Sequence, residues 1–127
     1  MSKLNVPVLV VDDQALMRKI VRKLLAHIGF TRITDVADGE EALAALKTAP
    51  HGLVISDWNM DKMSGLELLG FIRADETLKH VPFILATAEG KPEHVLAAKE
   101  AGASGYIVKP FDADTLKGKI ESVLGPL

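Results

Sequence analysis

Three carboxylates and one lysine stand where apolar runs stop. Asp12 and Asp13 follow the run Val6–Val11, Asp57 follows Leu53–Ser56, and Lys109 follows Gly105–Val108. In an open parallel α/β sheet, ligands bind outside the carboxyl ends of the strands. These residues, distant in sequence, are therefore expected to meet at one edge as an acidic pocket faced by a lysine. At about 4 Å two carboxylates repel by about 1 kcal/mol in water and about 4 kcal/mol at an effective dielectric of 20, so three together call for a cation. Oxygen donors without nearby His or Cys favour Mg²⁺, which keeps several waters and takes few carboxylates. Asn59, two residues after Asp57, offers its backbone carbonyl as a further ligand.

With a cation in place, Asp57 is a candidate nucleophile for in-line attack on a phosphoryl group, giving an acyl phosphate. Lys109 suits the role of a point charge on the transferred oxygens, and the Thr87 hydroxyl is a candidate hydrogen-bond donor to one of them. Singly, each residue has an ordinary explanation: Asp caps helices, a lysine before Pro110 sits on the surface, and threonine belongs in strands. Their joint placement at the ends of four apolar runs carries the inference.

The elements that must position them alternate five times. Strands are predicted at Val6–Val11, Ile33–Ala37, Leu53–Ser56, Val81–Thr87 and Gly105–Val108. Helices follow each: Gln14 to Ile28, with a stripe of Leu16, Ile20, Leu24 and Ile28 ended by Gly29; a helix capped by Asp38 with Glu41 at capping-box spacing; another capped by Ser64 with Glu67; Glu93–Ala101 after Pro92; and a last one from Asp112 through Leu124. The strands are nearly continuous Val, Ile and Leu, as in sheets covered by helices on both faces. Five such units with right-handed crossovers predict a single doubly wound α/β domain over residues 1–127 with no separate effector domain.

Composition narrows the classes. The 127 residues carry a net charge of −2, with 48% hydrophobic and 25% charged residues and no cysteine. This excludes disulfides, thiolate metal sites and cysteine nucleophiles, and gives no overall electrostatic footprint for nucleic acid. Met1–Leu4 lacks a signal-like leader, and no apolar run nears the ~20 residues of a membrane helix, so a cytoplasmic monomer without nucleic-acid or membrane partners is expected. Arg18, Lys19, Arg22 and Lys23 form a basic band on the first helix, readable as a solvated face or as steering for an acidic partner. His27, His51, His80 and His94 show no metal-ligand spacing.

At the same residues the chain resembles the receiver domains of bacterial response regulators. The segments Val8-Leu9-Val10-Val11-Asp12-Asp13, Ser56-Asp57-Trp58-Asn59-Met60, Ala86-Thr87-Ala88 and Lys109-Pro110-Phe111 occur in that family's order and spacing over the full length. Ile72-Arg73-Ala74-Asp75 and Ala101-Gly102-Ala103-Ser104-Gly105-Tyr106 are similar to the stand-alone chemotaxis members. The resemblance implies a (βα)₅ flavodoxin-like fold with strand order 2-1-3-4-5 and a cis Lys109–Pro110 bond. It implies a phosphoacceptor Asp57 charged by a sensor histidine kinase or a histidine phosphotransfer domain. Asp12, Asp13, Asp57 and the Asn59 carbonyl would hold Mg²⁺, and Thr87 and Lys109 would grip the phosphoryl group. Tyr106 would move with Thr87 to alter an output face, with Lys91, Tyr106 and Lys119 as partner-binding residues. The first helix would dock the phosphodonor, and the output would be a flagellar switch protein. Two rivals keep parts of the chemistry: a phosphate sink or phosphorelay intermediate with no motor target, and an Asp-nucleophile phosphatase. The phosphatase would place its nucleophile on the first strand in an Asp-x-Asp arrangement under a cap, whereas Asp12 and Asp13 are adjacent. On the family reading the protein is a signalling protein rather than an enzyme, catalysing only its own phosphorylation and slow dephosphorylation. The chain departs from the family's usual pattern at Asp61, commonly proline, which is expected to loosen the loop and add negative charge. It departs again at Pro92, where close relatives tend to carry an output-face lysine.

Overall fold

A computed structural model describes residues 3–127; Met1 and Ser2, part of the segment read above for a leader, lie outside the described residues. Five strands, β1 (Val8–Val11), β2 (Ile33–Val36), β3 (Leu53–Asp57), β4 (Phe83–Thr87) and β5 (Gly105–Val108), form one parallel sheet in the order β2-β1-β3-β4-β5. Five helices connect and cover them: α1 (Ala15–Ile28), α2 (Gly39–Thr48), α3 (Gly65–Ala74), α4 (Pro92–Glu100) and α5 (Ala113–Leu124). The predicted doubly wound (βα)₅ architecture and strand order are the observed ones. Among the described residues no helix is long and apolar enough to cross a membrane.

Successive residues of a strand point to opposite faces, so β1 divides its side chains between two cores. Val8 and Val10 join Leu25, Ile55, Ile84 and Leu116 under α1 and α5, while Leu9 and Val11 join Val54, Leu68, Ile72 and Phe83 on the other side. β1, β3 and β4 are buried throughout apart from the half-buried Asp57; β2 and β5, at the edges, are only partly covered.

Helix starts follow the predicted caps. Asp38, Ser64 and Asp112 each accept the backbone N–H three residues on, and Ser64 with Glu67 completes a capping box. Two strands start later than predicted, and proline is the reason. Pro7 and Pro82 supply no N–H to a ladder, so β1 starts at Val8 and β4 at Phe83, with the proline carbonyls accepting from Gly52 and Val54 instead. The predicted stripe of α1 is also corrected. Four-residue steps advance 400°, drifting 40° per step, so Leu16 lies about 120° around the helix from Ile28. Leu16 and Ile20 are 69% and 41% exposed, Leu24 and Ile28 pack against the core, and Val21 and Leu25 are the buried residues.

Candidate functional site

The sheet ends on one edge in the predicted cluster. β1 runs out at Val11, placing Asp12 and Asp13 in the turn to α1, and Asp57 closes β3 beside it. Ligand oxygens of Asp12, Asp13 and Asp57 all lie within 4.8 Å of one another. Lys109, immediately after β5, reaches across β4: its Nζ is 2.7 Å from Asp57 Oδ1 and 3.5 Å from Asp12 Oδ2. The side chains of Asp12, Asp57 and Lys109 are 5%, 10% and 18% exposed, whereas Asp13 is open to solvent.

Backbone bonds fix this register. Lys109 N–H donates to the Thr87 carbonyl at 2.7 Å, and Trp58 N–H to the Ala86 carbonyl at 2.8 Å. Gly65 opens α3 hard against the end of β3. A Cβ there would stand 2.2 Å from the Asp57 carbonyl oxygen, so only glycine lets the helix approach, while Gly65 N–H bonds the Trp58 carbonyl at 2.8 Å. Asp12 Oδ1 accepts from Gln14 N–H at 2.9 Å, and the Asp12 carbonyl from Arg18 Nη1 at 2.8 Å. The Lys109–Pro110 bond is cis, as the resemblance implied.

Burial pushes the Asp57 carboxyl above the usual range; Lys109 opposes the rise and the Asp12 charge adds to it. The site holds more negative charge than one lysine balances, and all its side-chain donors are hard oxygens. That donor set fits a divalent cation of the Mg²⁺ or Ca²⁺ kind and does not fit a soft metal. A cavity of ≈ 600 Å³ with Leu46, His51, Leu78 and Pro82 among its lining residues opens at the opposite, amino-terminal edge of the sheet. It shares no residue with the acidic cluster.

Around the cluster, Thr87 ends β4, buried, and its Oγ1 accepts from Glu89 N–H at 3.2 Å. The Glu89 carbonyl in turn accepts the Tyr106 hydroxyl, and the Tyr106 ring meets Trp58 edge-on at 6.4 Å. Asn59 is exposed in the loop after β3 and lines a ≈ 60 Å³ recess with Trp58, Thr87, Glu89 and His94. Lys91 and Lys119 are exposed, on the loop before α4 and on α5, well outside the carboxylate cluster; Lys91 Nζ stands 3.6 Å from Glu89 Oε2.

The basic band divides. Arg18 and Arg22 both pair with Asp35 of β2 at 2.9 Å, tying α1 to the sheet edge, and leave Lys19 and Lys23 exposed. Sequence reasoning missed Asp35, for which a charge inside an apolar strand was the available signal. It missed Glu89, whose contacts with Thr87 and Tyr106 run through its backbone and leave no mark in the residue type. It also set His94 aside, which packs edge-on against Trp58 at 5.2 Å.

Known proteins agree with this geometry. The family model for the response regulator receiver domain matches residues 8–121. The chemotaxis protein CheY-3 of Vibrio cholerae is 48% identical over 119 residues, 94% of this chain and 92% of that protein. Among solved structures, the chemotaxis protein CheY4 of Vibrio cholerae superposes with a TM-score of 0.88 at 37% identity, covering 94% of this chain and 99% of that one. The receiver domain of a Pseudomonas aeruginosa sensor histidine kinase gives a TM-score of 0.85 at 25% identity over 96% of this chain and 99% of its own. That protein has a magnesium ion coordinated in its active-site cleft.

Proposed function

The chain belongs to the family of response regulator receiver domains, and on that premise we propose that Asp57 accepts a phosphoryl group from a phosphohistidine and thereby switches a protein-binding face in chemotaxis. The observation that carries this reading is Lys109 Nζ at 2.7 Å from Asp57 Oδ1 inside a trio of carboxylates whose oxygens lie within 4.8 Å. The donor is a sensor histidine kinase or a histidine phosphotransfer domain in the cytoplasm, and the regulator acts as a monomer.

An Asp57 oxygen attacks phosphorus in line; the P–N bond to the donor imidazole breaks and an acyl phosphate forms. Held by Asp12, Asp13, Asp57 and the Asn59 carbonyl, Mg²⁺ would neutralise charge on the transferred oxygens. Lys109, freed from its bond to the Asp57 carboxylate, pairs with a phosphoryl oxygen. Thr87 turns its hydroxyl to donate to another, which takes its Oγ1 from Glu89 N–H. Because Glu89 also accepts the Tyr106 hydroxyl, that movement reaches Tyr106 through one residue. Tyr106 lies between Lys91 and Lys119 in the chain, and the α4-β5-α5 face that bears all three is the proposed contact for a flagellar switch protein.

Pro92 at the first turn of α4, and the closeness of Lys91 to Glu89, favour a second reading in which this face has no motor target and the chain is a phosphate sink or relay intermediate. Binding of a switch-protein peptide to the beryllofluoride-loaded protein supports the first reading, and absence of binding supports the second. The test common to both is Trp58 fluorescence during addition of Mg²⁺ and then beryllofluoride. A saturable response to Mg²⁺ and a further change lost in Asp57→Asn are expected; no response from the folded wild type would overturn the acceptor site.

A further inference from the structure

Asp61 stands in the exposed loop between β3 and α3, and its backbone N–H donates to Asp13 Oδ2 at 3.2 Å. The loop is shaped to bring that N–H there. Lys62 holds a left-handed φ of 68°, the one positive φ outside glycine among the described residues. Met63 N–H closes back onto the Asp61 carbonyl at 2.7 Å. The Met63 side chain is wedged against Gly39 at the start of α2, where a Cβ would stand 2.4 Å from its sulfur. A lysine keeps such a backbone only where its surroundings over-determine it. These contacts hold the loop in the shape that turns the Asp61 N–H toward Asp13.

The three carboxylates are held differently. Asp57 is fixed by Lys109, and Asp12 by Lys109 and Gln14 N–H. Asp13 is exposed and, among the described residues, has no ion-pair partner, and its carboxylate accepts one hydrogen bond there, from Asp61 N–H.

We infer that the Asp61 backbone N–H is a positioning group for the cation site, orienting Asp13 by one carboxylate oxygen and leaving the other to ligate. The inference rests on the Mg²⁺ reading above. A carboxylate already oriented loses less side-chain freedom when the ion arrives, so the bond raises affinity. The backbone does this and the Asp61 carboxylate does not: its charge, exposed, adds only a weak attraction that salt screens. A proline at this position has no N–H to give.

Three variants separate the possibilities in Mg²⁺ titrations followed by calorimetry and Trp58 fluorescence at 0.1–0.2 M salt. Asp61→Ala keeps the N–H and is expected to bind Mg²⁺ within about twofold of wild type. Asp61→Pro removes it and is expected to bind about fivefold more weakly, equivalent to about 1 kcal/mol. Asp57→Asn reports loss of a ligand. Wild-type affinity in Asp61→Pro, or equal losses in Asp61→Ala and Asp61→Pro, overturns the inference while leaving the cation site standing. Absence of Mg²⁺ binding by wild type overturns the cation reading itself. Should Asp61→Pro not fold, the amide proton of Asp61 decides without it. It is expected downfield in metal-free wild type and shifted upfield in Asp13→Ala, and a resonance unmoved by that substitution overturns the positioning role.

Discussion

Replacing Asp13 by alanine is expected to stabilise the metal-free protein while destroying its cation site. Ligand oxygens of Asp13, Asp12 and Asp57 lie within 4.8 Å of one another. At that separation each like-charge pair repels by about 1 kcal/mol with water-like screening and about 3.5 kcal/mol at an effective dielectric of 20. Asp13 is exposed, so the screened value applies, and its two repulsions together amount to about 2 kcal/mol. Against this the variant loses the bond from Asp61 N–H, worth about 1 kcal/mol. The net gain is about 1 kcal/mol, or about 4 °C in Tm for a domain of this size. Asp13 does not cap α1; Gln14 is the N-cap residue, without a side-chain bond, so no helix-start term enters. The assay is thermal unfolding followed by circular dichroism in EDTA at low ionic strength, where the gap is widest. Saturating Mg²⁺ should invert the order, because wild type gains binding free energy that the variant does not. A lower Tm for Asp13→Ala in EDTA would refute the reasoning, showing that local structure at Asp13 outweighs the repulsion. The expected result is the ordinary trade in which a functional site holds together charges that folding alone would separate.

Three further outcomes follow from the same geometry. Gly65→Ala forces a Cβ to 2.2 Å from the Asp57 carbonyl oxygen, a backbone clash that no rotamer relieves; a loss of about 1–3 kcal/mol is expected by chemical denaturation, with weakened Mg²⁺ binding. Asp57→Asn is expected to raise metal-free stability at neutral pH. Burial holds the folded Asp57 carboxyl above the ordinary carboxylate range, so its ionisation costs stability as pH rises through that window. The Tm advantage of the variant should therefore shrink as pH falls and the Asp57 carboxyl takes up its proton, and an advantage that grows instead would contradict the sign. Lys109→Ala leaves the carboxylates in place and should keep Mg²⁺ affinity close to wild type, while uncoupling phosphorylation from binding of the output partner. It should also raise the Asp57 carboxyl further, seen by carboxyl ¹³C titration, since Lys109 is the main influence holding it down.

Much of this was legible in the chain because two signals were local and redundant. Asp12, Asp13, Asp57 and Lys109 stand out since a charged residue ending a run of Val, Ile and Leu can sit only at the rim of a buried sheet. The caps Asp38, Ser64 and Asp112 stand out since their partners lie three residues on. The details that sequence reasoning got wrong or missed depend on angle and distance. Leu16 and Ile20 looked like core because steps of four resemble a helical face until the drift is summed. Arg18 and Arg22 looked like a free basic band because Asp35 is brought to them by the β2–β1 pairing, and the bond from Asp61 to Asp13 went unread because a backbone N–H is invisible in a side-chain pattern. Glu89 was missed for a related reason: its carbonyl and N–H, not its carboxylate, join Thr87 to Tyr106.

The claim that Asp57 is the phosphoryl acceptor is tested most directly by intact-mass measurement after incubation with Mg²⁺ and a small acyl phosphate donor, with the modified residue located by borohydride reduction and peptide mapping. One phosphoryl group per chain, mapped to Asp57, absent in Asp57→Asn and suppressed by EDTA, is the predicted result. A phosphoryl group that persists in Asp57→Asn, or that forms equally well in EDTA, would contradict it.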